Sequence, residues 1–171
     1  AMRFANRSRS DAANTDTVSD FIASPKLNLV FGPWSKTEYY YSLGNGFHSN
    51  DARGVTINPV GNVRSNGLVR TFGQEIGVRT EAINGVQTTL ALFQLDSASE
   101  IVYIGDEGRT EDSGRRSRRV GVEFNNYIKA SRWLTLDADF AYARARFRDP
   151  DAAGQYIEGA VEGVASVAAI V

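Results

Sequence analysis

Period-two alternation of apolar and polar residues recurs along this chain, and helical periodicity is nearly absent. Leu27, Leu29 and Phe31 alternate with Lys26, Asn28 and Val30. After Gly32-Pro33-Trp34-Ser35-Lys36, the pattern resumes with Tyr39, Tyr41 and Leu43 on one face and Glu38, Tyr40, Ser42, Gly44 and Gly46 on the other. A third run sets Phe72, Ile76 and Val78 against Thr71, Gly73, Glu75, Gly77 and Arg79. Asn84-Gly85, a strong hairpin signal, follows it. From Thr88 to Leu95 the alternation blurs, which predicts a bulge. The cleanest pair comes next. Val120, Val122, Phe124 and Ile128 oppose Arg119, Glu123, Asn125 and Lys129, and beyond a turn Leu134, Leu136, Phe140 and Tyr142 oppose Thr135, Asp137 and Asp139. A strand around Phe4 and an apolar run from Ala160 to Val171 bring the expectation to about eight strands.

The connections alternate as well. Residues 32–36, 83–86 and 130–133 read as tight turns, whereas 9–21, 48–67 and 96–117 read as long polar loops. In an antiparallel sheet this puts every tight turn at one end and every long loop at the other. Outer-membrane barrels are built this way, with strands apolar outside and polar inside. Strands of about 9–11 residues cross a membrane, and Leu134 to Tyr142 fits. Trp34 and Trp133 both fall at the short-turn end, where an aromatic girdle belongs. The expected fold is all-β, an antiparallel transmembrane β-barrel in one domain spanning residues 1–171. A soluble β-sandwich or barrel shares the alternation, so alternation alone leaves both open. In the barrel reading Leu134, Leu136, Phe140, Val120, Val122 and Phe124 face lipid, and Asp137, Asp139, Glu123 and Asn125 face the lumen.

Composition narrows the function classes. The 171 residues carry 19 basic and 20 acidic side chains, for a net charge of -1. Nucleic acid is therefore not the expected partner, since phosphate backbones demand a basic excess. Cysteine is absent and His48 is the single histidine. That excludes disulfide scaffolds, thiolate zinc sites and multi-histidine metal centres. No apolar run approaches the roughly 18 residues of a spanning helix, and Ala1 to Arg7 hold no apolar signal-peptide core.

The stretch Ser24-Pro25-Lys26-Leu27-Asn28-Leu29-Val30-Phe31-Gly32-Pro33, then Tyr39 to Gly54, resembles the barrel of TonB-dependent outer-membrane receptors. So does Arg119-Val120-Gly121-Val122-Glu123-Phe124 running into Trp133-Leu134-Thr135-Leu136-Asp137-Ala138. The similarity covers most of residues 22–148. It implies a barrel of about 22 strands in the bacterial outer membrane. Such a barrel imports a scarce nutrient, commonly an iron–siderophore complex or cobalamin, with energy relayed by TonB. Neither the plug domain nor the TonB box of such receptors is present in these residues. The chain therefore reads as an internal barrel segment, and TonB would be met through that absent plug region. The alternative is a complete eight-stranded outer-membrane barrel with a structural or adhesion role.

Candidate chemistry is sparse. Asp137 and Asp139 share a face about 7 Å apart; the pair suits acid–base work or a hard cation, but also ordinary lumen charge balanced by Lys129 or Arg79. Asp106, Glu107, Glu111 and Asp112 lack EF-hand spacing and read as a solvated loop. His48, Ser49 and Asp51 cluster too closely on one loop to form a catalytic triad, and no oxyanion elbow accompanies them. Gly44-Asn45-Gly46 has no following helix to capture phosphate. No catalytic residue, metal site or cofactor is expected, and the chain does not read as an enzyme. In the receptor reading Tyr40, Phe47, His48 and Arg53 are candidate contacts for the imported small ligand. Of the 19 basic residues 16 are arginine. Parity places Arg116, Arg118, Arg144 and Arg146 outward at the long-loop end. There they are candidates to hold lipopolysaccharide phosphates at the edge of the outer-membrane lipid.

Overall fold

The computed structural model describes residues 2–6, 16–50, 55–56, 66–104 and 109–171. Its strands are β1 (Met2–Asn6), β2 (Asp16–Asp20), β3 (Lys26–Trp34), β4 (Thr37–Ser49), β5 (Leu68–Thr80), β6 (Val86–Ser97), β7 (Ile101–Ile104), β8 (Arg109–Asp112), β9 (Ser117–Lys129), β10 (Thr135–Phe147) and β11 (Gly163–Ile170). Seven of them form one antiparallel sheet in the order β11-β10-β9-β6-β5-β4-β3, while β1–β2 and β7–β8 are separate two-stranded hairpins. The β7–β8 hairpin is inserted between the neighbours β6 and β9. The chain is all-β among its described residues, and the sheet is open: β3 and β11 have one neighbour each and do not pair with each other.

Register follows the alternation. Val122 lies opposite Tyr142 on β10 and Leu92 on β6, and Leu92 opposite Ile76 on β5. One rung therefore runs Ile76–Leu92–Val122–Tyr142, all on one face. The next runs Val78–Leu90–Phe124–Phe140. The opposite face carries Ser42, Glu75, Phe93 and Gly121 on one rung, with Asp139 beside Asn125 further down. Both faces are thus as the alternation of β9 and β10 predicts.

The structure differs from the sequence reading in four places. The expected bulge at residues 88–95 is absent, because β6 pairs without a register shift on both sides. Its alternation blurs because its inner face is also apolar: Ala91 is buried, and a Cβ at Gly121 would meet the ring of Phe93. The irregularity lies instead between Phe31 and Trp34. The β3–β4 turn is Ser35-Lys36, both left-handed with φ of 50° and 62°, the conformation of a two-residue hairpin whose twist suits the strands. Asn84-Gly85 closes a longer loop between Thr80 and Val86, with Gly85 at φ 77°. Finally, the expected loops 9–21 and 96–117 contain β2 and the β7–β8 hairpin. Short polar strands such as Asp16–Asp20 have too few apolar positions to register as period-two runs.

Burial divides the molecule by height. At the long-loop end Val55 and Leu68 form a small core with Val18 and Ile22. Ala145, Phe147 and Ile157 form another with Val102 and Ala160. In the middle of the sheet the one buried side chain is Ala91, while Ile76 (58%), Leu92 (56%) and Phe140 (46%) are widely exposed. No helix of the described residues is long and apolar enough to cross a membrane.

Candidate functional site

The polar face of the sheet has two built features. The first is a groove of about 410 Å³. Its floor is Gly44, Gly46 and Gly73, and Lys26, Glu75 and Phe93 stand around it. Gly44 and Gly73 are direct register partners. The stem of Lys26 leans over Gly44. The rings of Tyr40 and Phe93 lie over Gly77 and Gly121 in the same manner, each aromatic covering a glycine on the neighbouring strand.

The second feature is a polar network at the long-loop end. Arg119 grips Glu100 with two nitrogens, at 2.5 and 2.9 Å. The hydroxyl of the fully buried Ser117 donates to the same carboxylate. Burial acts most strongly on the Glu100 carboxyl and opposes its charge. The hydrogen bonds from Arg119 and Ser117, with the charge of Arg119 and a smaller contribution from His48, outweigh it and hold the group below its usual value. Beside this pair the Asn50 amide donates to Asp112 and to the Asn66 carbonyl, both at 2.8 Å. Ser99 donates to Asp112 as well. Among the described residues, the buried His48 Nε2 and Asn50 Oδ1 have no hydrogen-bond partner. The β7–β8 hairpin brings these groups together, tying the inserted segment to the ends of β4 and β9.

The candidate ligand contacts do not form one cluster. Tyr40 and His48 share the polar face of β4, but eight residues of extended strand, about 27 Å, separate them. Tyr40 sits near the short turn, opposite Gly77. Phe47 lies on the opposite face, exposed and paired with Arg70. Arg53 lies outside the described residues, as do Asp51, Asp106 and Glu107. His48 alone reaches the loop-end network. Asp137 and Asp139 make no ion pair with Lys129 or Arg79; Arg79 instead faces Glu38 at 3.9 Å. Among the described residues no three His, Asp or Glu side chains are grouped to hold a metal ion.

The outward arginines are mostly engaged. Arg118 binds Asp96 through two nitrogens at 2.7 and 3.1 Å. Arg116 binds Asp149 at 2.7 Å, and Arg146 binds Glu162 at 2.8 Å while stacking on Tyr156. Arg144 is exposed and makes no such contact among the described residues. Sequence reasoning missed Glu100, Ser117 and Asn50. Their signal was weak: Arg119 was one of several polar-face residues with Glu123, Asn125 and Lys129, and only the inserted hairpin brings Glu100 back to it.

No protein-family model and no curated protein matches the chain.

Proposed function

We propose that this chain is part of the membrane wall of a TonB-dependent outer-membrane receptor that imports a scarce nutrient such as an iron–siderophore complex or cobalamin. One observation carries the membrane half of the reading: the mid-sheet face bearing Ile76, Leu92, Phe124 and Phe140 is apolar and exposed on consecutive strands. Lipid would cover it. Strands of 13 residues such as β5, β9 and β10, tilted by about 40°, rise roughly 30 Å, which matches a bilayer core. The exposed Trp34 and Trp133 at the short-turn end suit an interfacial girdle. The receptor half rests on the sequence resemblance and on the unpaired outer edges of β3 and β11. Open edges are not tolerated in lipid, so they favour a larger barrel over a complete small barrel with a structural or adhesion role. Within this reading the chain transports and does not catalyse, its location is the bacterial outer membrane, and TonB acts through a plug outside these residues.

Single cysteines at Leu136 and Asp137 in the membrane-embedded full-length protein test the membrane half. Position 136 should react with a lipid-soluble maleimide and position 137 with a water-soluble one; the reverse pattern overturns the reading. Uptake of labelled ferric siderophore or cobalamin that persists after TonB deletion would overturn the receptor half.

A further inference from the structure

The groove on the polar face carries hydrogen-bonding groups that the sheet itself does not use. Three successive rungs build it. The lowest runs Asn28–Ser42–Glu75–Phe93 across β3 to β6, the next runs Lys26–Gly44–Gly73–Leu95, and the third pairs Gly46 with Thr71. Among the described residues nothing hydrogen-bonds the side chains of Asn28, Ser42 or Thr71, which all line the groove. A glycine inside a strand weakens it and calls for a reason. At Gly44, Gly46, Gly77 and Gly121 the protein supplies one, since a Cβ there would meet the side chains of Lys26, Thr71, Tyr40 and Phe93 at 2.8 Å or less. At Gly73 it does not: a Cβ would meet Leu95 at an ordinary 3.7 Å and nothing closer. The space over Gly73 is therefore kept open without any neighbour requiring it, and it lies between the rung of Phe93 and the rung of Thr71.

We infer that this groove binds a neutral polyhydroxylated molecule, a short saccharide. The inference names a substrate class for the importing role proposed above and rests on that reading. The volume of about 410 Å³ falls within the range of about 300–1,000 Å³ usual for small-molecule sites. Charge selects against an anionic metal chelate: Lys26 stands against both Glu75 and Glu123, so an added anion would meet a net negative charge. Asn28, Ser42 and Thr71 offer donors and acceptors without charge, as sugar hydroxyls require. Neighbouring strands set such groups about 4.8 Å apart, comparable to the span of a sugar ring. Phe93 supplies an apolar surface for the C–H groups of that ring. A cationic ligand fits less well, because it would meet Lys26 and leave the neutral groups half used.

The test is calorimetric titration of the full-length protein in detergent, with maltotriose, cellotriose and xylotriose as neutral probes and ferric citrate as the anionic one. The wild-type protein should bind at least one trisaccharide and not ferric citrate. Gly73→Val, whose side chain fills the groove, should abolish that binding. Ser42→Ala and Thr71→Val should each weaken it about fivefold, the effect of one lost hydrogen bond, and Phe93→Leu by a similar factor. Gly163→Val, at an open position on β11, should leave the affinity within about twofold. Should Gly73→Val not fold, the Ser42 and Thr71 variants carry the same test. A wild-type protein that binds none of the trisaccharides overturns the site. So does unchanged affinity in the groove variants, or ferric citrate binding that Gly73→Val or Thr71→Val removes. Absence of the wild-type protein from outer-membrane fractions overturns the importing reading instead, and fractionation and titration read the two separately.

Discussion

The long-loop end and the middle of the sheet are built by opposite rules. At the loop end Val55, Thr56, Ser117, Phe147 and Ile157 are buried, and charges meet in pairs such as Glu100–Arg119. That region has small cores of its own, as a water-soluble protein does. Mid-sheet, hydrogen bonds between strands are continuous, yet Leu92, Phe124 and Phe140 remain 41–56% exposed. An uncovered apolar face of this extent marks an interaction surface. The difference teaches that the sheet is only partly specified by its own contacts: the loop end supplies a core, and the middle leaves its apolar face exposed.

The largest expected effect breaks that contrast at mid-sheet. Leu92→Arg places a cation on the outward face and should cost about 2–4 kcal/mol in a bilayer. Asn125→Arg, on the polar face of the neighbouring β9, should stay within about 0.5 kcal/mol. Denaturant unfolding of the bilayer-embedded protein measures both, and equal costs would mean that the two faces meet the same solvent.

At the loop end the expected effect is somewhat smaller. Glu100→Ala leaves the Arg119 guanidinium without its carboxylate in a part-buried site, costing about 2–3 kcal/mol. Hydrogen exchange should accelerate around residues 98–104 and 112–119 while mid-sheet amides of β5 and β6 keep their protection. Uniform loss of protection would show that the two regions do not fold as separate units.

A finer probe asks how tightly the inner face is packed. A Cβ at Gly121 would meet the Phe93 ring and the Tyr142 carbonyl, so Gly121→Ala should cost about 1–2 kcal/mol by overpacking. Shortening the neighbour in a Gly121→Ala/Phe93→Leu double variant should recover part of that cost, and a double-mutant cycle reads the coupling. Strict additivity would mean that the ring does not lie over the glycine.

The faces were legible in the sequence because a strand's side chains alternate with period two, and one buried or lipid-covered face forces the pattern. Val120, Val122, Phe124 and Phe140 are therefore where alternation places them. The loop-end network was not legible. Glu100 and Arg119 are 19 positions apart, and their meeting depends on a short hairpin that shows no alternation, because its first strand is wholly apolar and its second wholly polar. The arginine rim was half legible: parity placed Arg118, Arg144 and Arg146 on one face, but their carboxylates Asp96 and Glu162 come from other strands and loops. Of the ligand candidates, Tyr40 and Phe47 illustrate the limit of reasoning by proximity in sequence, since height along a strand and choice of face separate them from His48.

The smallest expected effect concerns pH and again distinguishes the two regions. The Glu100 carboxyl is held low despite burial, chiefly by Arg119 and Ser117. The exposed Asp149 is held low by the side-chain and backbone hydrogen bonds of Arg116. A carboxyl whose folded value lies below its unfolded one adds stability above the unfolded value and loses it as pH falls through the folded value. The loop end should therefore be insensitive between pH 7 and about 5, and loosen below about pH 4 as these groups protonate. Protease cleavage within residues 98–116 and 148–162 follows this directly, and it should rise on acidification while mid-sheet strands stay protected. Glu100→Gln should flatten most of the dependence and Asp149→Asn little of it, because a surface pair contributes weakly. Cleavage rising between pH 7 and 6 instead would remove Glu100 from the account.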